Sequence, residues 1–175
     1  MKSVRPLSSL SLAALLLSSN IASAGDIVAT AREAGGFGQL LNAARAAGLE
    51  PVLSGKGPVT LFAPSDAAFG RLPQGALFKL LQPESKALLA ALLKAHVVAG
   101  DYPAARLRNA KANEYTIPAA GGPLTISKAG GLKAGGATVV NADMKADNGL
   151  IHMIDAVIIP PKVAAALAKA KSGRK

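Results

Sequence analysis

The residues that most suggest catalysis in this chain are Ser65, Asp66, His96, His152 and Asp155. A catalytic triad combines a hydroxyl nucleophile, an imidazole base and a carboxylate that orients the base. The chain has no G-x-S-x-G elbow, however, and no H-E-x-x-H pair. In a regular strand, side chains three positions apart point to opposite faces, so His152 and Asp155 would not meet. The sequence therefore predicts no catalytic residue and a protein that is not an enzyme.

Metal coordination is the other chemistry that the histidines could support. A zinc ion needs three or four ligands, whereas His96 and His152 are far apart in the sequence and each lies in an apolar run. The chain also has no cysteine, which excludes a disulfide framework, a thiolate metal site and a cysteine nucleophile. We therefore predict neither a metal site nor a cofactor.

The composition is that of one packed domain. The chain has 175 residues, of which 50% are hydrophobic and 17% are charged. This is enough apolar material for a single core and too short for two domains of ordinary size. With four Phe, two Tyr and no Trp, the chain has few rings on which bases could stack. Binding of nucleic acid is therefore not expected.

The charge balance is strongly basic, with 20 Lys and Arg against 10 Asp and Glu and a formal net charge of +10. Such a charge favours association with anionic surfaces. Some of the cations are concentrated in a polar link before the second-half strands, and others lie near the C-terminus. The candidate anion-binding residues are Arg106, Arg108, Lys111, Lys169, Lys171, Arg174 and Lys175.

The first 24 residues have the pattern of a signal peptide. Lys2 and Arg5 give a positive start, residues 7–17 are mainly apolar, and Ala22-Ser23-Ala24 is a small-residue cleavage sequence. The apolar run is about 11 residues long, whereas a membrane-spanning helix needs about 20. We expect cleavage after Ala24, export to a periplasm or beyond, and no transmembrane anchor. The predicted organisation is a signal peptide (1–24), one domain (25–161) and a basic C-terminal tail (162–175).

Helical periodicity dominates the first half of the predicted domain. Asp26 is placed to cap a first helix, and apolar residues then repeat at helical spacing until Gly48. Residues 59–62 form a short β-branched and aromatic run, which we expect Pro64 to end. Either Ser65 or the residue after it can cap the helix that follows.

The second half changes to strand patterns. Residues 114–117, 124–128 and 138–144 have alternating or β-branched character and are separated by pairs of glycines. Asn148-Gly149 indicates a tight turn with positive φ, and residues 150–159 are apolar on both faces, which is typical of a central strand. Helices first and strands second predict an α+β fold with helices packed on short, mostly antiparallel strands.

Three stretches of the chain resemble the fasciclin domain. They are Thr60-Leu61-Phe62-Ala63-Pro64-Ser65-Asp66-Ala67-Ala68-Phe69, Leu92-Leu93-Lys94-Ala95-His96-Val97-Val98 and Asn148-Gly149-Leu150-Ile151-His152-Met153-Ile154-Asp155. Their order and spacing agree with that family over residues 26–161. The resemblance implies a compact α+β wedge and an exported module for adhesion or matrix interaction. In one departure, Ala95 stands where the family usually has tyrosine, and the Tyr-His pair is the part linked to integrin adhesion, which argues against integrin binding.

The signature residues have structural explanations. A cap at Ser65 or Asp66, a core anchor at Phe69 and a buried, neutral, hydrogen-bonded His152 would account for them. The signature residues so interpreted are Thr60, Phe62, Ala63, Pro64, Asp66, Phe69, His96, Asn148, Gly149, His152 and Asp155.

Two functions remain open at the level of the sequence. The first is a non-enzymatic fasciclin-like module that binds a cell-surface or matrix protein through its surface loops. The alternative is a binder of anionic envelope polysaccharide or lipid head groups through the basic face and tail. Salt separates them, because purely electrostatic binding collapses at high ionic strength whereas a shape-specific contact largely survives.

The signal-peptide assignment predicts the N-terminus of the processed protein. Mass spectrometry of the protein purified from its native source should show a chain that begins at Gly25, because the peptidase recognises the small residues before it. A processed sample that still carried residues 1–24 would refute the assignment.

Overall fold

The computed structural model describes the backbone of residues 25–172 and the side chains of residues 25–169. The predicted signal peptide, the side chain of Lys171, and Arg174 and Lys175 lie outside the described residues. The described helices are α1 (Ile27–Ala34), α2 (Gly38–Ala47), α3 (Glu50–Leu53), α4 (Asp66–Gly70), α5 (Ala76–Leu80), a 3-10 turn (Pro83–Ser85), α6 (Lys86–Lys94), α7 (Ala104–Arg108) and α8 (Pro161–Ser172). The described strands are β1 (Val59–Pro64), β2 (Val97–Ala99), β3 (Glu114–Ala119), β4 (Gly122–Ser127), β5 (Lys133–Ala134), β6 (Ala137–Ala146) and β7 (Gly149–Ile154).

The described strands close into a barrel in the order β1 to β7. Successive strands pair antiparallel, and β7 returns alongside β1 in a parallel register that runs from Val59 opposite Gly149 to Pro64 opposite Ile154. A closed barrel leaves no unpaired strand edge. The predicted α+β class is confirmed, and the closure of the sheet is a feature that the sequence patterns did not predict.

Strands β1 and β7 form the wall between two hydrophobic clusters. Side chains alternate between the two faces of a strand. On one face, Leu61 and Ile151 join the cluster that packs against the helices. On the other face, Phe62 and Ile154 join a cluster with residues from the remaining strands, which fills the barrel. Both clusters therefore depend on the pairing of these two strands.

The helix ends follow local chemistry. The carboxylate of Asp26 accepts a hydrogen bond from the Ala29 N–H at 2.8 Å and so caps α1. Helix α2 ends at Gly48, whose φ of 72° lies in the left-handed region that glycine adopts without strain. These two ends agree with the sequence prediction, whereas the short helix α3 was not predicted.

Strand β1 is longer than predicted, because it continues through Ala63 and Pro64. The N–H groups of Val59 and Ser65 point to β7, where they donate to Asn148 O and Ile154 O. By alternation, the missing N–H of Pro64 would point away from β7. Proline at this last position therefore costs the β1–β7 ladder no hydrogen bond.

Strand β7 is shorter than predicted, because it ends at Ile154 rather than at residue 159. The Asp155 N–H still donates to Thr138 O, and the chain then leaves the barrel. Ile158 packs in the barrel cluster, and its N–H donates to the His96 ring. Residues 156–159 are thus apolar because they pack against the two hydrophobic clusters, although they are not paired in the sheet.

The segment after residue 160 forms helix α8, which is packed on the domain rather than separate from it. Pro161 occupies the first helical turn, where a missing N–H is tolerated. Val163 is fully buried in the helix-side cluster, and Leu167, one turn later, is partly buried against it. The prediction of a tail set apart from the domain at residue 162 is therefore corrected for this part of the chain. None of the helices within residues 25–172 combines the length and the hydropathy needed to cross a bilayer.

The burial of Val163 predicts that α8 contributes to stability. Val163→Ala should lower the free energy of unfolding by about 1.5 to 3 kcal/mol, because it removes buried methyl groups and leaves a cavity. Ala165→Ser, at an exposed position of the same helix, is the matched control. Chemical unfolding of both variants measures the effect. Equal stability of the two variants would mean that α8 is not packed on the domain in solution.

Candidate functional site

His96 is buried between the end of α6 and the segment that follows β7. Its Nε2 accepts a hydrogen bond from the Ile158 N–H at 3.0 Å, so the ring proton must be on Nδ1, which donates to Leu92 O at 2.8 Å. The ring therefore joins two stretches of backbone and has no nitrogen left for a substrate or a metal ion.

His152 is fully buried on the barrel side of β7. Its Nδ1 accepts from the Asp143 N–H at 3.2 Å, and its Nε2 therefore donates to Tyr102 O at 2.8 Å. Asp143 has a φ of 59° and lies at an irregularity in the pairing of β6 with β7. The ring also lies against Phe62, with 5.3 Å between the ring centroids. His152 thus holds a strained bulge and the loop before α7 in place.

Both histidines are neutral at pH 7. Burial lowers the pKa of His96 to about 4, and the hydrogen bond to Leu92 opposes this shift only in part. Burial also lowers the pKa of His152 from its ordinary value. A neutral ring is the form that both hydrogen-bond patterns require, since each ring uses one nitrogen as an acceptor.

Thr60 holds the same loop as His152. Its hydroxyl donates to Gly100 O at 2.8 Å and accepts from the Tyr102 N–H at 3.0 Å. Tyr102 is therefore fixed at its N–H by Thr60 and at its carbonyl by His152. Thr60 is itself fully buried.

Ser65 and Asp66 both cap helices, but not the same helix. The Ser65 hydroxyl accepts from the Ala68 N–H at 3.2 Å and caps α4. The Asp66 carboxylate accepts from the N–H groups of Gly38 and Gln39, at 3.3 and 2.8 Å, and so caps α2. The two candidates for one cap thus have separate roles. The signature residues Ala63 on β1 and Phe69 on α4 are buried in the helix-side cluster.

Asp155 joins α4 to the barrel. One carboxylate oxygen accepts from the Thr138 N–H at 2.7 Å, and the other is 3.2 Å from Nη1 of Arg71. Arg71 also donates to the Asp155 carbonyl at 2.9 Å. The Asp155 carboxylate bonds to Thr138 and Arg71, whereas both ring nitrogens of His152 bond to Asp143 and Tyr102, so these residues do not form a catalytic dyad.

Asn148 connects three parts of the backbone. Its Oδ1 accepts from the Ile27 N–H at 2.9 Å, and its Nδ2 donates to Leu53 O and Gly55 O at 2.7 and 2.8 Å. The predicted turn is present at residues 147 and 148, but the predicted positive φ is wrong, since neither Asn148 nor Gly149 has one. Gly149 is needed for another reason: a Cβ there would overlap the carbonyl of Val59 on β1.

The largest cleft that we find in the described part of the chain, about 1110 Å³, lies beside Asn148. Its lining includes the carboxylates of Asp26 and Asp143, which are already engaged with the N–H groups of Ala29 and Ala104. Hydrogen bonds, the one with Ser54 first, lower the pKa of Asp26. No group of three or more potential metal ligands occurs among residues 25–172. The carboxylates of Asp26 and Asp143 in this cleft therefore serve the scaffold.

The basic candidates lie on two different parts of the fold. Arg106 and Arg108 are on α7, which packs on the barrel cluster, and Lys111 follows in the next turn. Lys169 is on α8, which packs on the helix-side cluster. The cations of the link and Lys169 of the predicted tail thus lie on elements that pack against different clusters.

Arg106 lies at a second cleft, of about 430 Å³, that sequence reasoning missed. The cleft is lined by Tyr102, Arg106, Leu107, Asn109, Ala110 and Tyr115. Both tyrosines of the chain are in this set. Because the chain has so few aromatic residues, its two tyrosines could have been singled out in the sequence. Only the fold, however, brings Tyr115 of β3 next to α7.

Comparison with known proteins agrees with this fold. The family model described as "Fasciclin domain" matches residues 35–160. Protein sll1483 of Synechocystis sp. is 44% identical over 126 residues, which cover 71% of this chain and 68% of that protein. Transforming growth factor-beta-induced protein ig-h3 of Sus scrofa is 34% identical over 131 residues, which cover 71% of this chain and 18% of that protein.

The fold is also similar to a solved structure of a FAS1 domain pair from the insect cell adhesion molecule Fasciclin I. The TM-score is 0.68 at 17% sequence identity. The match covers 79% of this chain and 52% of that chain, which contains a pair of such domains. The likeness shows that the two chains share a fold.

The lowered histidine pKa values predict how stability depends on pH. Unfolded His96 binds a proton below about pH 6.5, whereas the folded ring does so only below about pH 4. The stabilisation is therefore complete above pH 6.5 and is lost as the pH falls towards 4, on the order of 3 kcal/mol for this group. His152 acts in the same direction. Urea unfolding across this range should show the loss.

Nuclear magnetic resonance provides the independent measurement, because the chain has only two histidines. The His96 imidazole should not titrate in the folded protein between about pH 8 and pH 5.5, and the His152 imidazole should titrate below its ordinary pKa. A folded-state titration near pH 6.5 for either ring would contradict the buried, neutral arrangement.

Proposed function

Because this chain belongs to the fasciclin domain family, we propose that it is an exported, non-enzymatic module that attaches to a cell-surface or extracellular-matrix partner. A chain with the same fold comes from an insect cell adhesion molecule, which supports a role in adhesion. The signal-peptide pattern of residues 1–24 supports export to a periplasm or the cell exterior.

The observation that carries this proposal is that the polar signature residues bond within the protein. Thr60, His96 and His152 are buried and donate to or accept from backbone groups. Asp66 and Asp155 bind backbone N–H groups of other elements. Because these side chains form hydrogen bonds within the protein, the chain has no evident catalytic group. Its binding specificity therefore belongs to the exposed surface.

The position before His96 supports a partner other than an integrin. The resemblance places Ala95 where the family usually has tyrosine, and Ala95 is buried with only a methyl group. A contact that needs the tyrosine ring cannot form there.

A second candidate function, the binding of an anionic envelope polymer, is favoured by Arg106. Arg45 forms an ion pair with Glu50 and Arg71 with Asp155, whereas Arg106 has no ion pair among the described residues. The guanidinium of Arg106 is exposed and retains donors for an external anion.

Attachment of cells tests the proposal. Beads coated with the full chain should retain cells or envelope fragments of the producing organism above the level of albumin-coated beads. Retention should persist when salt is raised from about 0.1 M to 1 M, because a shape-specific contact is screened little. Asp66→Asn should retain the same material even if it lowers the melting temperature.

Three results would count against the proposal. Equal retention by coated and albumin beads would refute adhesion. Loss of retention at high salt would favour the anionic-polymer function instead. Loss of retention in Asp66→Asn with an unchanged melting temperature would place the partner-binding site among the signature residues.

A further inference from the structure

We propose that the cleft formed by Tyr102, Arg106, Asn109 and Tyr115 binds a carboxylate-bearing sugar of an acidic polysaccharide. The inference rests on the second candidate function and adds to it the site, the residues and the class of ligand. The cleft of about 430 Å³ is within the size range of small-molecule sites, about 300 to 1,000 Å³.

Contacts within the protein orient the guanidinium of Arg106 and leave some of its N–H groups available for an anion. Its Nη1 donates to the carbonyl of Asp101 at 2.8 Å, and its guanidinium carbon lies 4.5 Å from the centroid of the Tyr102 ring. These contacts use one N–H and one face of the planar group. The other N–H groups remain for a ligand, and a guanidinium presents them in the fork that matches a carboxylate.

The position of Arg106 follows from the scaffold. The backbone of Tyr102 is held by Thr60 at its N–H and by His152 at its carbonyl, as described above. The ring that supports the guanidinium is therefore anchored to β1 and β7 through buried side chains. Little ordering of the protein is then needed on binding, which favours affinity.

Hydrogen bonds also hold Tyr115 and the turn after α7 at the cleft. The Tyr115 hydroxyl donates to Leu107 O at 2.7 Å, which joins β3 to α7. Burial raises the pKa of Tyr115, so its hydroxyl stays protonated and the bond is kept at neutral pH. Lys128 donates to the carbonyls of Arg108 and Ala110 and holds the turn that ends the cleft.

The chemistry of the lining favours a sugar acid over a bare anion. Aromatic rings offer an apolar surface to the C–H face of a sugar, and the exposed amide of Asn109 can bind hydroxyl groups. Arg108 and Lys111 are exposed next to the cleft and extend the positive charge along a polymer. The nearby acids are Asp101, Glu114 and Asp143, whose carboxylate binds the Ala104 N–H. The nearby cations are Arg106, Arg108, Lys111 and Lys128, so positive charge remains in excess.

A matched pair of sugar probes tests the inference on the full chain. An oligomer of galacturonic acid should bind, and its methyl-esterified form, which has the same rings without the charge, should bind about tenfold more weakly or worse. Arg106→Gln should weaken binding of the acid oligomer by about tenfold, and Arg106→Lys should recover only part of it, because lysine keeps the charge and lacks the fork.

The control variant is Arg32→Gln, which removes the same charge from an exposed position on α1. It should leave the affinity within about twofold, because this position contributes nothing to the cleft. Melting temperatures of all variants establish that they are folded. Affinity measured by calorimetry at two salt concentrations completes the comparison.

Several outcomes would overturn the inference. Equal losses of affinity in Arg106→Gln and Arg32→Gln would mean that binding depends on net charge alone. Equal binding of the acid and ester oligomers would mean that the carboxylate is not recognised. Stronger binding of inorganic polyphosphate than of the acid oligomer would mean that the cleft does not prefer a sugar acid. None of these results bears on retention of cells by coated beads, so failure of the inference is distinct from failure of the adhesion proposal.

Discussion

The parallel contact between β1 and β7 is the interaction on which the rest of the structure depends. It closes the barrel, and its two faces supply side chains to both hydrophobic clusters. The two backbones approach so closely that a Cβ at Gly149 would overlap the Val59 carbonyl. Glycine at this position is therefore a condition of closure, and the Asn148 carbonyl, which accepts from the Val59 N–H, continues the contact beyond the strand.

The buried polar side chains pair backbone groups that are left without a partner when the barrel closes. A barrel of short strands is joined by loops whose backbone groups cannot all pair within the ladder, and unpaired buried groups are costly. His96, His152 and Asn148 each bond to backbone from two or more separate segments. Hydrogen bonds of this kind are the reason why chemically reactive residue types lie at fixed places without forming a reactive site.

Local order could be predicted from the sequence, and long-range order could not. The Asp26 cap and the Gly48 helix end depend on residues close in sequence, and both are present. Closure of the sheet joins strands from both halves of the chain. The apolar run up to residue 159 indicated one long strand. The residues after β7 are apolar because they are buried, although they do not pair with another strand. Among the site residues, the Arg106 cluster was visible as charge, whereas its tyrosine neighbours come together only in the fold.

The scaffold and the candidate binding cleft are physically connected. Thr60 and His152 hold the two backbone polar groups of Tyr102, and the ring of Tyr102 supports Arg106. The signature residues thus affect the surface indirectly. They determine where the exposed guanidinium of Arg106 lies, but they do not contact its ligand. A substitution in the buried pair would displace the cleft as well as weaken the core. Structural and binding roles therefore cannot be divided by burial alone in this domain, because buried side chains determine the geometry of the exposed ones.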